Sequence, residues 1–94
     1  MRTLVWSAAF VRAFKRAARR QPDLRRRVER ALHQLAEDPF HPTLRSHKLT
    51  GGLAGAWACT VDYDNRILFE FIQNPESGEE EILLLTMGTH DEMY

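Results

Sequence analysis

Hydrophobic spacing changes once along this chain, and the change dictates what it can fold into. Between Ser7 and Asp38 the apolar residues recur every three or four positions; between Trp57 and Thr86 they alternate or run together. A period near 3.6 gives a helix one buried face, and a period of two gives a strand one buried face. Pro22 divides the first region, because proline breaks a helix interior but suits a first helical turn. Phe10, Val11, Phe14, Ala17 and Ala18 stripe a helix that starts after Ser7, a cap candidate, and stops near Gln21. Leu24, Val28, Ala31, Leu32 and Leu35 stripe a second, which ends at Asp38 because Pro39 disfavours helix at the residue before it. Arginines cover both outer faces. So short a link makes a helical hairpin, and Trp6 with Val11 brackets Ser7 as a hydrophobic staple would.

Strand patterns lie on either side. Residues 3–6 read as a short strand. Residues 57–63 alternate, with Trp57, Cys59, Val61 and Tyr63 on one face. Asp64-Asn65 reads as a tight turn into a strand over 66–72, and residues 74–78 (Asn-Pro-Glu-Ser-Gly) as a second turn. Residues 81–86 form the greasiest strand, expected to be innermost and to break at Gly88. Residues 39–55 hold two prolines and three glycines, a long loop of the kind that often carries function. The order β-α-α-β-β-β predicts an α+β fold, a small antiparallel sheet packed against an N-terminal helical hairpin, in a single domain over residues 1–94.

Composition excludes several classes. At 44% hydrophobic residues a core is affordable and disorder is not expected. Formal charge sums to zero, yet residues 1–48 carry twelve Lys/Arg against four Asp/Glu, and residues 49–94 carry one against nine. Either the basic half meets a polyanion or acidic partner, or the halves neutralise one another in the fold. The lone Cys59 excludes an internal disulfide and fits a small buried side chain in a reducing cytoplasm. The first twenty-two residues, with six Lys/Arg and no acid, have a transit-peptide composition. Their apolar face is needed for the core, so targeting is not expected, and no stretch reaches membrane length.

Among four histidines, His33 reads as a surface residue of the second helix and His41 as part of a turn. His47, within the cationic run Arg45-Ser46-His47-Lys48, and His90, after the last strand, would share a cleft if the loop folds over the sheet edge. Asp64, Arg66 and Tyr94 would join them. No histidine or acid pair has the short fixed spacing of a zinc site, so no metal or other cofactor is expected. Ser7 is committed to a cap, and neither Ser46 nor Ser77 sits on a strained elbow. Residues of these types can perform phosphodiester chemistry on RNA: a base activates the 2′-hydroxyl, an acid protonates the leaving 5′-oxygen, and a fixed cation holds the phosphate. Arg66 suits that grip, and Tyr94 suits base stacking.

The segments Leu44-Arg45-Ser46-His47-Lys48-Leu49, Val61-Asp62-Tyr63-Asp64-Asn65-Arg66-Ile67-Leu68-Phe69 and Gly88-Thr89-His90-Asp91-Glu92-Met93-Tyr94 together resemble the RelE/ParE superfamily of bacterial type II toxins, above all its YafQ-like branch. The resemblance spans the whole chain. It implies a cytoplasmic, metal-independent mRNA interferase acting on the ribosome and restrained by a cognate antitoxin. It also implies catalytic roles for His47, His90, Asp64, Arg66 and Tyr94. Arg45, Lys48, Arg16, Arg20 and Arg27 would contact RNA phosphates. The chain departs from the family pattern at Thr60 and Asn65, where a histidine and a tryptophan can stand, and around Thr86, where an arginine often does. Two alternatives stay open: a ParE-like inhibitor of DNA gyrase, and a lapsed toxin fold that only binds an antitoxin.

Overall fold

The computed structural model describes residues 1–93, with backbone alone for Leu53, Glu92 and Met93. Both helices form where their stripes predict. Helix α1 spans Ala8–Arg20 and α2 spans Pro22–Glu37. Ser7 keeps an extended backbone (φ −71°, ψ 158°), and its Oγ accepts a 3.0 Å hydrogen bond from the Phe10 N–H. That bond satisfies one of the N–H groups that a helix start leaves unpaired. Gln21 ends one helix and begins the next. At φ −138° it leaves the helical region, donates its N–H to the Ala17 carbonyl, and accepts from the Leu24 N–H. The second helix closes at Asp38, whose N–H bonds the Gln34 carbonyl.

Five strands form one sheet: β1 (Leu4–Trp6), β2 (His47–Lys48), β3 (Trp57–Thr60), β4 (Asn65–Gln73) and β5 (Glu80–Thr89), in the order β1-β5-β4-β3-β2. The α+β architecture is the expected one, with β2 to β5 paired antiparallel. Three particulars differ. The first strand joins β5 in parallel, Leu4 opposite Ile82 through Trp6 opposite Leu84, so the sheet is mixed. Gly88 does not break the last strand; it stands opposite Arg66, and pairing runs on to Thr89 opposite Asn65. The ladder to β4 overrides glycine's weak strand preference. And β4, not β5, is the central strand.

The β4–β5 register slips once. Leu68 faces Thr86 but Phe69 faces Leu84, which leaves Leu85 as an extra residue. This is a β-bulge, and it shifts the alternation of everything after it. Ile82 and Leu84 point to the helices before the bulge and Met87 does so after it; all three lie in the core with Phe10, Leu24, Val28, Leu32, Leu35, Cys59, Ile67 and Phe69. Gly88 is thereby turned to the opposite face. The helix start braces the bulge: the Ser7 hydroxyl donates to the Leu85 carbonyl at 3.1 Å, and the Ser7 N–H donates to the Leu84 carbonyl at 3.3 Å. Trp6 packs edge-on against Phe10 and Phe14, so the staple closes on those rings. A second aromatic group, Phe40, Trp57, Phe69 and Phe71, holds the start of the long loop against the sheet.

Replacing Ser7 with alanine removes both the cap and the bulge contact. The expected loss is about 1–2 kcal/mol, the upper range for a serine cap, seen as a lower urea midpoint at unchanged slope. Ser7→Asp keeps the acceptor for Phe10 but loses the donor to Leu85, so it should recover only part of that loss. Full recovery would show that the bulge contact contributes nothing.

Candidate functional site

The turn between β3 and β4 is built around a residue that the periodicity assigned to a strand. Strand β3 stops at Thr60, and Asp62 organises the turn. Its Oδ1 accepts from the Asp64 N–H (3.0 Å), the Asn65 N–H (2.8 Å) and the Asn65 side-chain amide (2.9 Å), while its Oδ2 accepts from Arg27 Nε at 2.9 Å. Burial alone would push this carboxyl up. The bonds from the Asn65 side chain, the two backbone N–H groups and Arg27 outweigh it and hold the pKa below the usual carboxylate value. Asn65 is buried and committed to this knot. Arg27, expected at an RNA phosphate, here ties α2 to the turn.

On that turn stands a cleft of about 580 Å³ lined by Gln21, Tyr63, Asp64, Asn65, Arg66, Thr89, His90 and Asp91. Strand β5 delivers the His90 end to it, and the His90 N–H is anchored on the Asp64 carbonyl at 3.0 Å. Arg66 folds back over the turn: its Nη1 donates to the carbonyls of Asp62 (2.7 Å), Tyr63 (3.0 Å) and Asn65 (3.1 Å). Its Nε and Nη2 have no partner among the described residues, so two nitrogens carrying three N–H groups remain for an anion. The fold thus brings Asp64, Arg66 and His90 together as expected. Tyr63, 91% exposed on the turn, was missed because the alternation 57–63 placed it on a strand face.

His47 is not in that cleft. It stands on β2 opposite Ala58, which faces Leu68 on β4 and Thr86 on β5; Arg66 lies in the next row, between Thr60 and Gly88. Those side chains share the sheet face that points away from the helices. Two strand spacings and two residues separate His47 from Arg66, about 12 Å, and His90 is farther still, about 20 Å. The expected convergence of both histidines on one cleft is therefore not found. The local setting of His47 is nonetheless defined. Arg45 adopts the left-handed conformation (φ 48°) uncommon for a side-chain-bearing residue, and its carbonyl lies 3.1 Å from His47 Nδ1. A carbonyl only accepts, so in this contact the hydrogen bond is donated by Nδ1.

Lys48 has its ammonium 5.7 Å from the Trp57 ring centre. His41 accepts from the Thr43 N–H and shapes the 3-10 turn Pro42–Leu44, as expected. Cys59 is buried, and burial pushes its thiol up to about 12, which removes it as a nucleophile. Arg16 and Arg20 flank a small recess that shares Gln21, Asn65 and Thr89 with the cleft. Tyr94 lies outside the described residues. Among the described residues no group of three His, Cys, Asp or Glu is placed to hold a metal. No helix there is long and apolar enough to cross a membrane. Among the described residues only Arg2–Glu80 and Arg27–Asp62 pair the two charged halves directly.

A family model described as the bacterial toxin of type II toxin-antitoxin system, YafQ, matches residues 2–94. Among solved structures, YafQ from E. coli is 17% identical, with 100% of this chain and 99% of that chain covered and a TM-score of 0.79. A YoeB/ParE toxin from Agrobacterium tumefaciens is 16% identical over 94% of this chain and 98% of its own, with a TM-score of 0.75. The E. coli DinJ-YafQ toxin-antitoxin complex matches at 17% identity over 99% of this chain and 97% of that chain, with a TM-score of 0.76. No curated protein sequence matches the chain.

The low pKa of Asp62 has a signed consequence. A carboxyl whose folded pKa lies below its unfolded value of about 3.9 contributes stability above that pH and loses it as pH falls through the folded value. The urea midpoint should therefore drop as pH is lowered below about 4. Asp62→Ala should cost about 1–3 kcal/mol at neutral pH, the range for stranding buried hydrogen-bond partners, and should flatten that acid limb. An unchanged acid limb in the variant would assign the pH dependence elsewhere.

Proposed function

The chain belongs to the YafQ family of bacterial type II toxins, and from that premise we propose that it is an endoribonuclease that cuts mRNA on the ribosome. The observation that carries this reading is the juxtaposition of Arg66, whose Nε and Nη2 have no partner among the described residues, and His90 in one solvent-open cleft. Arg66 holds the scissile phosphate through Nε and Nη2, a planar grip that lysine does not reproduce. The 2′-oxygen attacks the adjacent phosphorus as its proton passes to a base, the bond to the 5′-oxygen breaks, and an acid protonates that oxygen. A cyclic phosphate and a 5′-hydroxyl result. His90 serves as one proton-transfer group, because an imidazole can both take up and release a proton. Asp64, in the same cleft, orients the imidazole or takes the 2′-proton. No metal is needed for these steps, and none is assigned.

The remaining expected residues fall around this centre. Arg16 and Arg20, across the adjoining recess, meet a flanking phosphate. His47, Arg45 and Lys48 meet the RNA where it runs over the outer sheet face. Tyr94 is proposed for stacking on the strength of the family resemblance alone. The exposed arginines of α1 and α2 suit the phosphate-rich ribosome. By the precedent of the DinJ-YafQ complex, an antitoxin partner is proposed as well, and the cytoplasm as the site of action.

Purified protein added to programmed ribosomes should create new 5′ ends within the mRNA. His90→Ala and Arg66→Ala should each lower the cleavage rate at least about a hundredfold, and Arg66→Lys should not rescue it. His47→Ala should cost less than tenfold; an equal loss at His47 and His90 would restore them as an acid–base pair. Growth arrest with intact mRNA and trapped gyrase–DNA complexes would replace the nuclease reading with the ParE-like one.

A further inference from the structure

Four large apolar side chains are prominently exposed among the described residues: Met1, Trp6, Phe40 and Tyr63. Trp6 leans on Phe10 and Phe14, and Phe40 leans on Trp57 and Phe71, so each has a packing role. Tyr63 has no ring neighbour among the described residues and is the most exposed of the four, at 91%. It is also on a tightly tethered turn. The two residues that follow it are held by the Asp62 carboxylate, and the Tyr63 carbonyl itself accepts from Arg66 Nη1 at 3.0 Å. A ring displayed on a braced backbone loses little entropy on binding. Tyr63 is also among the residues that line the cleft with Arg66 and His90.

We propose that Tyr63 is a substrate-positioning residue: its ring is the platform on which a base of single-stranded RNA stacks, next to the phosphate held by Arg66. The inference rests on the nuclease reading of that cleft. An aromatic face accepts any base, so the platform fixes the position of a nucleotide rather than its identity. The link from the Tyr63 carbonyl to Arg66 couples the two contacts: the turn that holds the ring also holds the guanidinium. A protein partner is the less favoured occupant, because the cleft around the ring is polar and presents Arg66 donors suited to phosphate.

Two measurements test this. On programmed ribosomes, Tyr63→Ala should lower kcat/KM about tenfold or more through KM, in the range that losing one base–aromatic stack produces. Tyr63→Phe and Tyr63→Trp should stay within about threefold of the wild type. In the second, an RNA oligonucleotide carrying 2-aminopurine is titrated with His90→Ala protein. Quenching should be seen, should disappear in Tyr63→Ala/His90→Ala, and should persist in Tyr63→Trp/His90→Ala. Wild-type cleavage kinetics in Tyr63→Ala would overturn the proposal, as would normal cleavage combined with lost antitoxin binding. If the wild type cuts no mRNA, the nuclease reading fails by itself. The quenching titration then still decides the stack, and its absence overturns that too.

Discussion

The phase of β5 depends on one inserted residue. With Leu85 bulged, Leu84 and Met87 both reach the core and Gly88 reaches the outer face opposite Arg66. Without it, Thr86 and Gly88 would point inward and Met87 into solvent, because a one-residue slip exchanges the two faces of a strand. Ser7 is the brace, accepting from the first turn of α1 and donating to the bulge carbonyl. A single hydroxyl thus links the start of the helical layer to the strand that carries His90 toward the turn. Anchoring of the His90 N–H on the Asp64 carbonyl completes the path from helix cap to cleft.

Local features of the sequence carried the helical half of the fold. Pro22, the cap at Ser7 and the stop before Pro39 act within a few residues, and all three appear where they were expected. The buried state of Cys59 followed from alternation alone. What periodicity could not supply was pairing. The parallel direction of β1, the survival of β5 through Gly88 and the two-residue strand at His47 each depend on a neighbour distant in the chain.

The candidate site shows the same division. Asp64, Arg66 and His90 were legible because they lie in short motifs with a family resemblance, and the fold gathers them. His47 was grouped with them on residue type, while register sets it two strands away from Arg66. Asp62 was overlooked because the alternation over 57–63 placed it within a strand, whereas its carboxylate closes the turn on Asp64 and Asn65 and is reached by Arg27 from 35 positions earlier. Two family departures acquire a place: Thr60 is opposite Arg66, and Thr86 is one row away on the same outer face. Asn65, the third departure, is repurposed as part of the turn.

The Asp62 knot has a consequence for how such a chain can change over time. It closes the turn from within, using its own carboxylate, the backbone of Asp64 and Asn65, the Asn65 amide and Arg27. The side chains of Tyr63 and Asp64 project outward and take no part in that closure. Position 63 can therefore change without opening the turn, while Asp64, Arg66 and His90 stay beside it. Stability and contact are separated by a single peptide bond, so the side chain displayed at the tip can change without first weakening the domain that carries it.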